Sequence, residues 1–228
     1  MLEFVFMDLD DTILDFHKAE AIALTDTLEY FGVTVTDTVI SRYSVINLSQ
    51  WELLELGKLT RDEVKVRRFR LLFEELGIVC DAEEVRKYYE KRLSVGHYFL
   101  PGAVELLDTL KGRCKLYIVS NGTTSVQQGR IKSAGIAHYF EAIWFSEAVG
   151  YVKPQKEFFA ACFSQIPNFD PARAIILGDS LTSDILGGIN GGIRTCWFNP
   201  QKKDGRRDIV PDFEIASLDE FVSLIEDL

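Results

Sequence analysis

A doubly wound parallel α/β sheet carrying an all-helical insertion is the fold this sequence predicts, on three observations. Residues 2–7 form a short apolar run, interrupted only by Glu3 and ended abruptly by the carboxylates Asp8, Asp10 and Asp11. Residues 16–97 carry apolar positions at helical spacing, with no buried strand among them. From Leu100 onward, short apolar runs alternate with helical segments to the C-terminus, the pattern of parallel strands joined by crossover helices.

The first run is too short for a helix and rich in aromatic residues, so it reads as a strand buried on both faces, with Asp8 at its carboxyl end. A helix over residues 19–31 stops at Gly32, a suitable C′ glycine, and a second over residues 37–56 stops before Gly57. Thr60 with Glu63, and Asp81 with Glu84, have capping-box spacing and start two further helices. Lys65, Arg67, Arg68 and Arg70 form a basic run that reads as a mostly solvated face paired with Glu74 and Glu75. Leu100-Pro101-Gly102 then opens the alternating part. It comprises a helix at 103–110, a strand at 115–119 closed by Ser120-Asn121-Gly122, a helix near 126–134 and a short strand at 142–145. A helix at 155–165 follows, then a strand at 174–177 ended by Gly178-Asp179-Ser180, a strand at 195–198, an edge strand at 213–215 and a terminal helix at 218–225. The division expected is a core of residues 1–15 and 99–228 with a helical insertion at 16–98.

With 228 residues, 47% of them apolar, the chain can bury a sizeable core. The net charge of −10 argues against coating nucleic acid or lying on a membrane, both of which need a basic surface. Cys80, Cys114, Cys162 and Cys196 are widely spaced and the histidines form no ligand pattern, so neither a zinc site nor a disulfide framework is expected. No signal-like segment and no run of membrane-spanning length is present in the sequence, which reads as cytoplasmic.

Three of the strands end in small or acidic polar residues: Asp8 and Asp10, Ser120 and Asn121, and Asp179. A parallel sheet brings such ends to one edge, where ligands bind. Closely spaced carboxylates repel unless a proton or cation shares the site, and a divalent metal answers that requirement. Lys153-Pro154 stands just before a helix, a setting that favours an anion. Singly, each feature also fits a plain turn, cap or surface lysine.

In order along the chain, Asp8-x-Asp10-x-Thr12, the strand-terminal Ser120, Lys153-Pro154 and Gly178-Asp179 with Asp184 resemble motifs I to IV of the haloacid dehalogenase superfamily of phosphatases. The helical insertion stands where that superfamily places a C1-type cap. The resemblance implies Asp8 as nucleophile and Asp10 as general acid and base. It implies magnesium (Mg2+) held by Asp8, the Asp10 backbone carbonyl and Asp179, with Asp184 a ligand or a support behind one. Ser120, the Asn121 backbone amide and Lys153 would bind the phosphoryl group of a small phosphate ester. A further pattern of Asn47, Trp51, Gly57, Thr60 and Arg68-Phe69, with residues 178–190 and 195–199, is similar to bacterial house-cleaning pyrimidine nucleoside 5′-monophosphate phosphatases. Asn47, Trp51 and Arg68, with Phe16 just after motif I, are the substrate candidates that follow.

Rival readings make different demands. A haloacid dehalogenase needs no acid for a leaving halide, which leaves Asp10 and motif IV without purpose. A phosphomutase, or a phosphatase of a sugar phosphate, would use the same core residues. A phospho-receiver module combines similar groups around magnesium, but carries its aspartate on a middle strand and lacks a large insertion after the first.

Overall fold

The computed structural model describes residues 2–228. Four consecutive fully buried apolar residues make β1 (Phe4–Met7), and it sits at the middle of a six-stranded sheet. The other strands are β2 (Lys115–Ser120), β3 (Phe140–Phe145), β4 (Ala174–Gly178), β5 (Arg194–Phe198) and β6 (Phe213–Ile215), in the order β3-β2-β1-β4-β5-β6. Every pairing is parallel. Burial on both faces explains why the inner strands are unbroken apolar runs rather than alternating ones. The direction of strand succession reverses between β1 and β4, so the crevice where such sheets bind ligands opens at the ends of these two strands.

The chain divides into two compact units. The first takes in the chain up to Asp15, Tyr98–Thr124 and Ala134–Leu228, and it holds the sheet. One face of the sheet is covered by aromatic packing: Phe6 stacks on Tyr117 at 5.0 Å and Tyr117 on Trp144 at 5.3 Å, with Phe158, Phe159 and Cys162 in the same core. Each such ring contributes about 1.5–3 kcal/mol by leaving water.

The second unit comprises Phe16–His97 with Ser125–Ser133. Its helices are α1 (Phe16–Tyr30), α2 (Asp37–Glu55), α3 (Arg61–Leu76) and α4 (Ala82–Leu93). Thr60 and Glu63 form a reciprocal capping box, and the Asp81 side chain accepts from the Glu83 and Glu84 amides, so both helix starts lie where the spacing places them. Tyr43, Phe69 and Tyr89 centre the core of this unit, with rings 5.2–5.6 Å apart.

Part of the basic run departs from the expected solvated face: Arg67 and Arg70 are exposed, but Lys65 and Arg68 are buried. Positions 64, 65, 68, 69 and 72 lie on one side of α3, so two of the four cations fall on its buried stripe. Glu75 pairs with Arg42 instead.

The remaining helices are α5 (Ala103–Leu110), α6 (Thr124–Ala134), α7 (Ser146–Val149), α8 (Lys156–Phe163), α9 (Leu186–Gly191) and α10 (Leu218–Asp227). The middle of α6 belongs with the helical unit, although the sequence assigns it to the alternating part. Its Gly129 fits so closely there that a β-carbon would stand 2.6 Å from the Ser94 carbonyl oxygen. All four cysteines are free, and among the described residues no helix is long and apolar enough to cross a membrane.

Candidate active site

β1 delivers Asp8 to the sheet edge, where its amide donates to Leu177 O at 3.0 Å. The chain then reverses through Asp11, whose φ of 52° is left-handed, a conformation that aspartate tolerates better than most non-glycine residues. Two bonds close this turn, Asp11 N to Leu14 O at 2.8 Å and Leu14 N to Leu9 O at 2.9 Å.

Beside it β4 ends in Gly178, followed by Asp179 and Ser180. Residues Leu181–Ile185 wind as a π-helical turn capped by Ser180, whose Oγ accepts from Ser183 N at 3.2 Å. This widened turn carries Asp184 back against the strand end, where its Oδ2 accepts from Ser180 N at 3.1 Å. Gly178 makes the approach possible, since a β-carbon there would stand 2.3 Å from the Asp184 carboxyl. Trp197 on β5 donates its indole N–H to Asp179 O at 2.8 Å, which pins the backbone at the acidic residue.

Lys153 ties these pieces together. Its buried ammonium donates to Asp8 Oδ1 at 2.6 Å, Asp184 Oδ1 at 2.6 Å and Val119 O at 2.8 Å, which uses all three of its protons. Ser120, also buried, stands at the end of β2 and accepts from Gly122 N at 3.1 Å. The Asn121 side chain pairs with the Lys153 backbone.

Asp8, Asp179 and Asp184 each offer a carboxylate oxygen within 4.8 Å of the others. Burial, with Asp184 and Asp10 adding repulsion, pushes the Asp8 carboxyl up to about 8, against the pull of Lys153. Burial first, and then Asp184 and Asp8, hold the Asp179 carboxyl well above the usual carboxylate range. Burial would lower the Lys153 ammonium, but Asp184 and Asp8 outweigh it and raise it. Three carboxylates around one ammonium leave an excess of negative charge with hard oxygen donors, which fits magnesium.

A second polar cluster lies inside the helical unit. Asn47 Oδ1 accepts from Trp51 Nε1 at 3.0 Å and from Arg68 Nη1 at 2.9 Å, while its Nδ2 donates to Glu20 Oε1 at 2.7 Å. The Arg68 guanidinium also lies over the Tyr89 ring at 5.0 Å and donates to Lys65 O at 3.2 Å. Three of the four substrate candidates are therefore joined, Trp51 and Arg68 both bonding to Asn47. The fourth, Phe16, has the Arg130 guanidinium 5.6 Å from its ring. Asn47 spends its acceptor and one donor inside this network, leaving one amide proton.

Glu20, which also accepts from Ser44 Oγ, is a member that sequence reasoning did not single out. The signal was available: Glu20 occupies a buried position of α1 together with Ala19, Ala23, Leu24 and Thr27, and a carboxylate on an apolar stripe is seldom there without a partner.

The family profile described as haloacid dehalogenase-like hydrolase matches residues 5–198. The chain is 39% identical over 221 residues to the Bacillus subtilis protein YfnB, covering 97% of this chain and 94% of the relative. The crystal structure of YfnB bound to magnesium superposes with a TM-score of 0.94 over 98% of each chain. The pyrimidine 5′-nucleotidase PynA of Streptococcus pneumoniae is 35% identical, covering 98% of this chain and 95% of the relative. The pyrimidine 5′-nucleotidase YjjG of Escherichia coli is 31% identical, covering 98% and 97%.

Proposed function

We propose that this chain, which belongs to the haloacid dehalogenase-like hydrolase family, is a magnesium-dependent phosphatase that acts through an aspartyl phosphate and prefers pyrimidine nucleoside 5′-monophosphates. The observation that carries the chemistry is the convergence of Asp8, Lys153, Asp179 and Asp184, drawn from three separate parts of the sequence, on one edge of the sheet.

Asp8, Asp179 and Asp184, with the Asp10 backbone carbonyl, would hold a magnesium ion, which when bound neutralises substrate charge and orients the phosphoryl group. Asp8 attacks phosphorus and the ester bond to the leaving oxygen breaks. Asp10 supplies a proton to that oxygen, then takes one from the water that hydrolyses the aspartyl phosphate. The Lys153 ammonium, the Ser120 hydroxyl and the Asn121 backbone N–H stabilise charge on the equatorial oxygens. A dianionic ester meets Asp8 as a nucleophile only when that carboxylate is ionised, so the charge of Lys153 helps at this step too.

Substrate choice falls to a different part of the chain, because the sheet-edge residues see only a phosphoryl group. The Asn47, Trp51 and Arg68 cluster offers the second Asn47 amide proton and the indole ring of Trp51 to a pyrimidine, while its other hydrogen-bonding groups pair with one another and hold these two in place. The two pyrimidine 5′-nucleotidase relatives support this choice.

Phosphate release from a panel of nucleoside monophosphates, sugar phosphates and a small aryl phosphate tests the proposal. Magnesium-dependent turnover highest on uridine and thymidine monophosphates is expected, absent in Asp8→Asn and reduced roughly 10²–10⁴-fold in Asp10→Asn. Equal efficiency on purine nucleotides, or a preference for a sugar phosphate, would overturn the substrate class. Full activity of Asp8→Asn would overturn the mechanism.

A further inference from the structure

We propose that the side chain of Asn121 is a positioning residue of the catalytic centre, which sets the loop that presents Lys153 and joins it to the turn that presents Asp184. This role is separate from the phosphoryl contact of its backbone amide, and it rests on the phosphatase reading only for its effect on rate.

Lys153 is rooted in a connection with no regular partner strand, between the end of α7 at Val149 and the start of α8 at Lys156. Its buried head is fixed by three acceptors. Its backbone must be fixed independently, because a long alkyl stem can reach the same acceptors from more than one root. Asn121 does this with both halves of its amide. Oδ1 accepts from Lys153 N at 2.9 Å, and Nδ2 donates to Lys153 O at 2.9 Å. Both main-chain groups of one residue are thereby satisfied by one side chain, as a neighbouring strand would satisfy them.

The same Nδ2 stands 3.3 Å from Ser183 Oγ. Ser183 immediately precedes Asp184 in the π-helical turn, and its amide is held by Ser180. One amide at the end of β2 therefore spans the two segments whose side chains meet at Lys153 Nζ and Asp184 Oδ1. Only an amide of this length has a donor and an acceptor side by side. In Asn121→Asp an acceptor would face the Lys153 carbonyl, so the isosteric replacement breaks half of the clamp.

The test combines kinetics with amide hydrogen exchange on the full-length protein. Asn121→Ala and Asn121→Asp are compared with wild type for magnesium-dependent hydrolysis of a small aryl phosphate, and Asn121→Ala is repeated in a Lys153→Ala background. Exchange is followed in the peptide spanning residues 150–155. Expected are a fall in kcat of about 10²-fold for both single variants, the size of effect that a small misplacement produces. Almost no further fall is expected once Lys153 is already absent, since residues that act through one another are not additive. Exchange at residues 150–155 should quicken in Asn121→Ala, which loses the acceptor of the Lys153 N–H, with the thermal midpoint close to that of wild type.

An equal loss with and without Lys153 would make the role merely structural and overturn the inference. So would unchanged exchange at residues 150–155 in Asn121→Ala, or Asn121→Asp activity equal to wild type. If Asn121→Ala does not fold, the isosteric Asn121→Asp decides through its rate, measured with and without Lys153→Ala. Absence of turnover by the wild-type protein would defeat the phosphatase reading instead, while the exchange measurement would still read the clamp.

Discussion

A methyl group on Gly178 would stand 2.3 Å from the Asp184 carboxyl, and neither side can yield: Gly178 ends a buried strand, and Asp184 is held by Lys153 and by the Ser180 amide. Gly178→Ala should therefore displace the carboxylate, cutting kcat by about 10²-fold and costing about 1–3 kcal/mol of stability through overpacking. Kinetics and a denaturation curve check both, and wild-type activity in this variant would mean that Asp184 has room to move. Glu20 makes a prediction of a different kind. Burial holds its carboxyl above the usual range, against the hydrogen bond from Ser44 and the charge of Arg68. The unfolded chain thus releases this proton at a lower pH than the folded chain does. The stabilising contribution of Glu20 is complete below the ordinary carboxylate value and declines as pH rises through that value toward the raised one. As pH rises above the ordinary carboxylate value, wild type should lose thermal stability relative to Glu20→Gln. A pH-independent difference between the two would remove the linkage.

The helical unit joins its polar cluster across elements: Glu20 comes from α1, Asn47 and Trp51 from α2, and Arg68 from α3, with Glu90 of α4 at 4.0 Å from Arg68. Removing Asn47 would strip a partner from Glu20, Trp51 and Arg68, so Asn47→Ala should cost stability as well as specificity. Trp51→Phe is the cleaner probe, because it keeps a ring and deletes one hydrogen bond, worth about 0.5–1.5 kcal/mol. Its expected result is a lower kcat/KM on uridine and thymidine monophosphates with an unchanged kcat/KM on a small aryl phosphate. A parallel fall on both substrates would place the effect in the phosphoryl chemistry and count against substrate selection by this cluster. The elements themselves were legible where local chemistry marks them, as at the Thr60 capping box and the Asp81 cap. Their ends were less so: α1 begins at Phe16 rather than residue 19, and β3 at Phe140 rather than residue 142. Phe16 and Phe140 are partly buried, and apolar spacing alone cannot assign such flanking positions to an element.

For the whole molecule, the excess of carboxylates at the sheet edge would make the proposed metal binding a stability term as well as a catalytic one. A magnesium ion that binds only the folded protein should raise its unfolding free energy by about 2.7 kcal/mol at a concentration one hundred times Kd. Titrating magnesium while following the thermal midpoint should show a rise in wild type and none in Asp179→Asn, with a chelator abolishing both the rise and turnover. A magnesium-independent midpoint would count against the ligand set.

The sequence by itself determined the parallel sheet, because a buried strand must be apolar on both faces and residues 4–7, 116–119 and 174–177 satisfy that condition locally. It also marked Asp8, Ser120, Asn121 and Asp179 as candidates, since a parallel sheet carries its strand ends to one edge and polar residues there stand out from the apolar runs before them, and Lys153 by its place just before a helix. Tertiary structure alone decided which groups meet. That Lys153 bonds to Asp8 and Asp184 at once, that the Asn121 amide clamps its backbone, and that Arg68 is buried while Arg67 is exposed all depend on packing between segments distant in sequence. The physical reason is that periodicity specifies a buried face but not its neighbour, and the strength of a hydrogen bond or an ion pair depends on the neighbour.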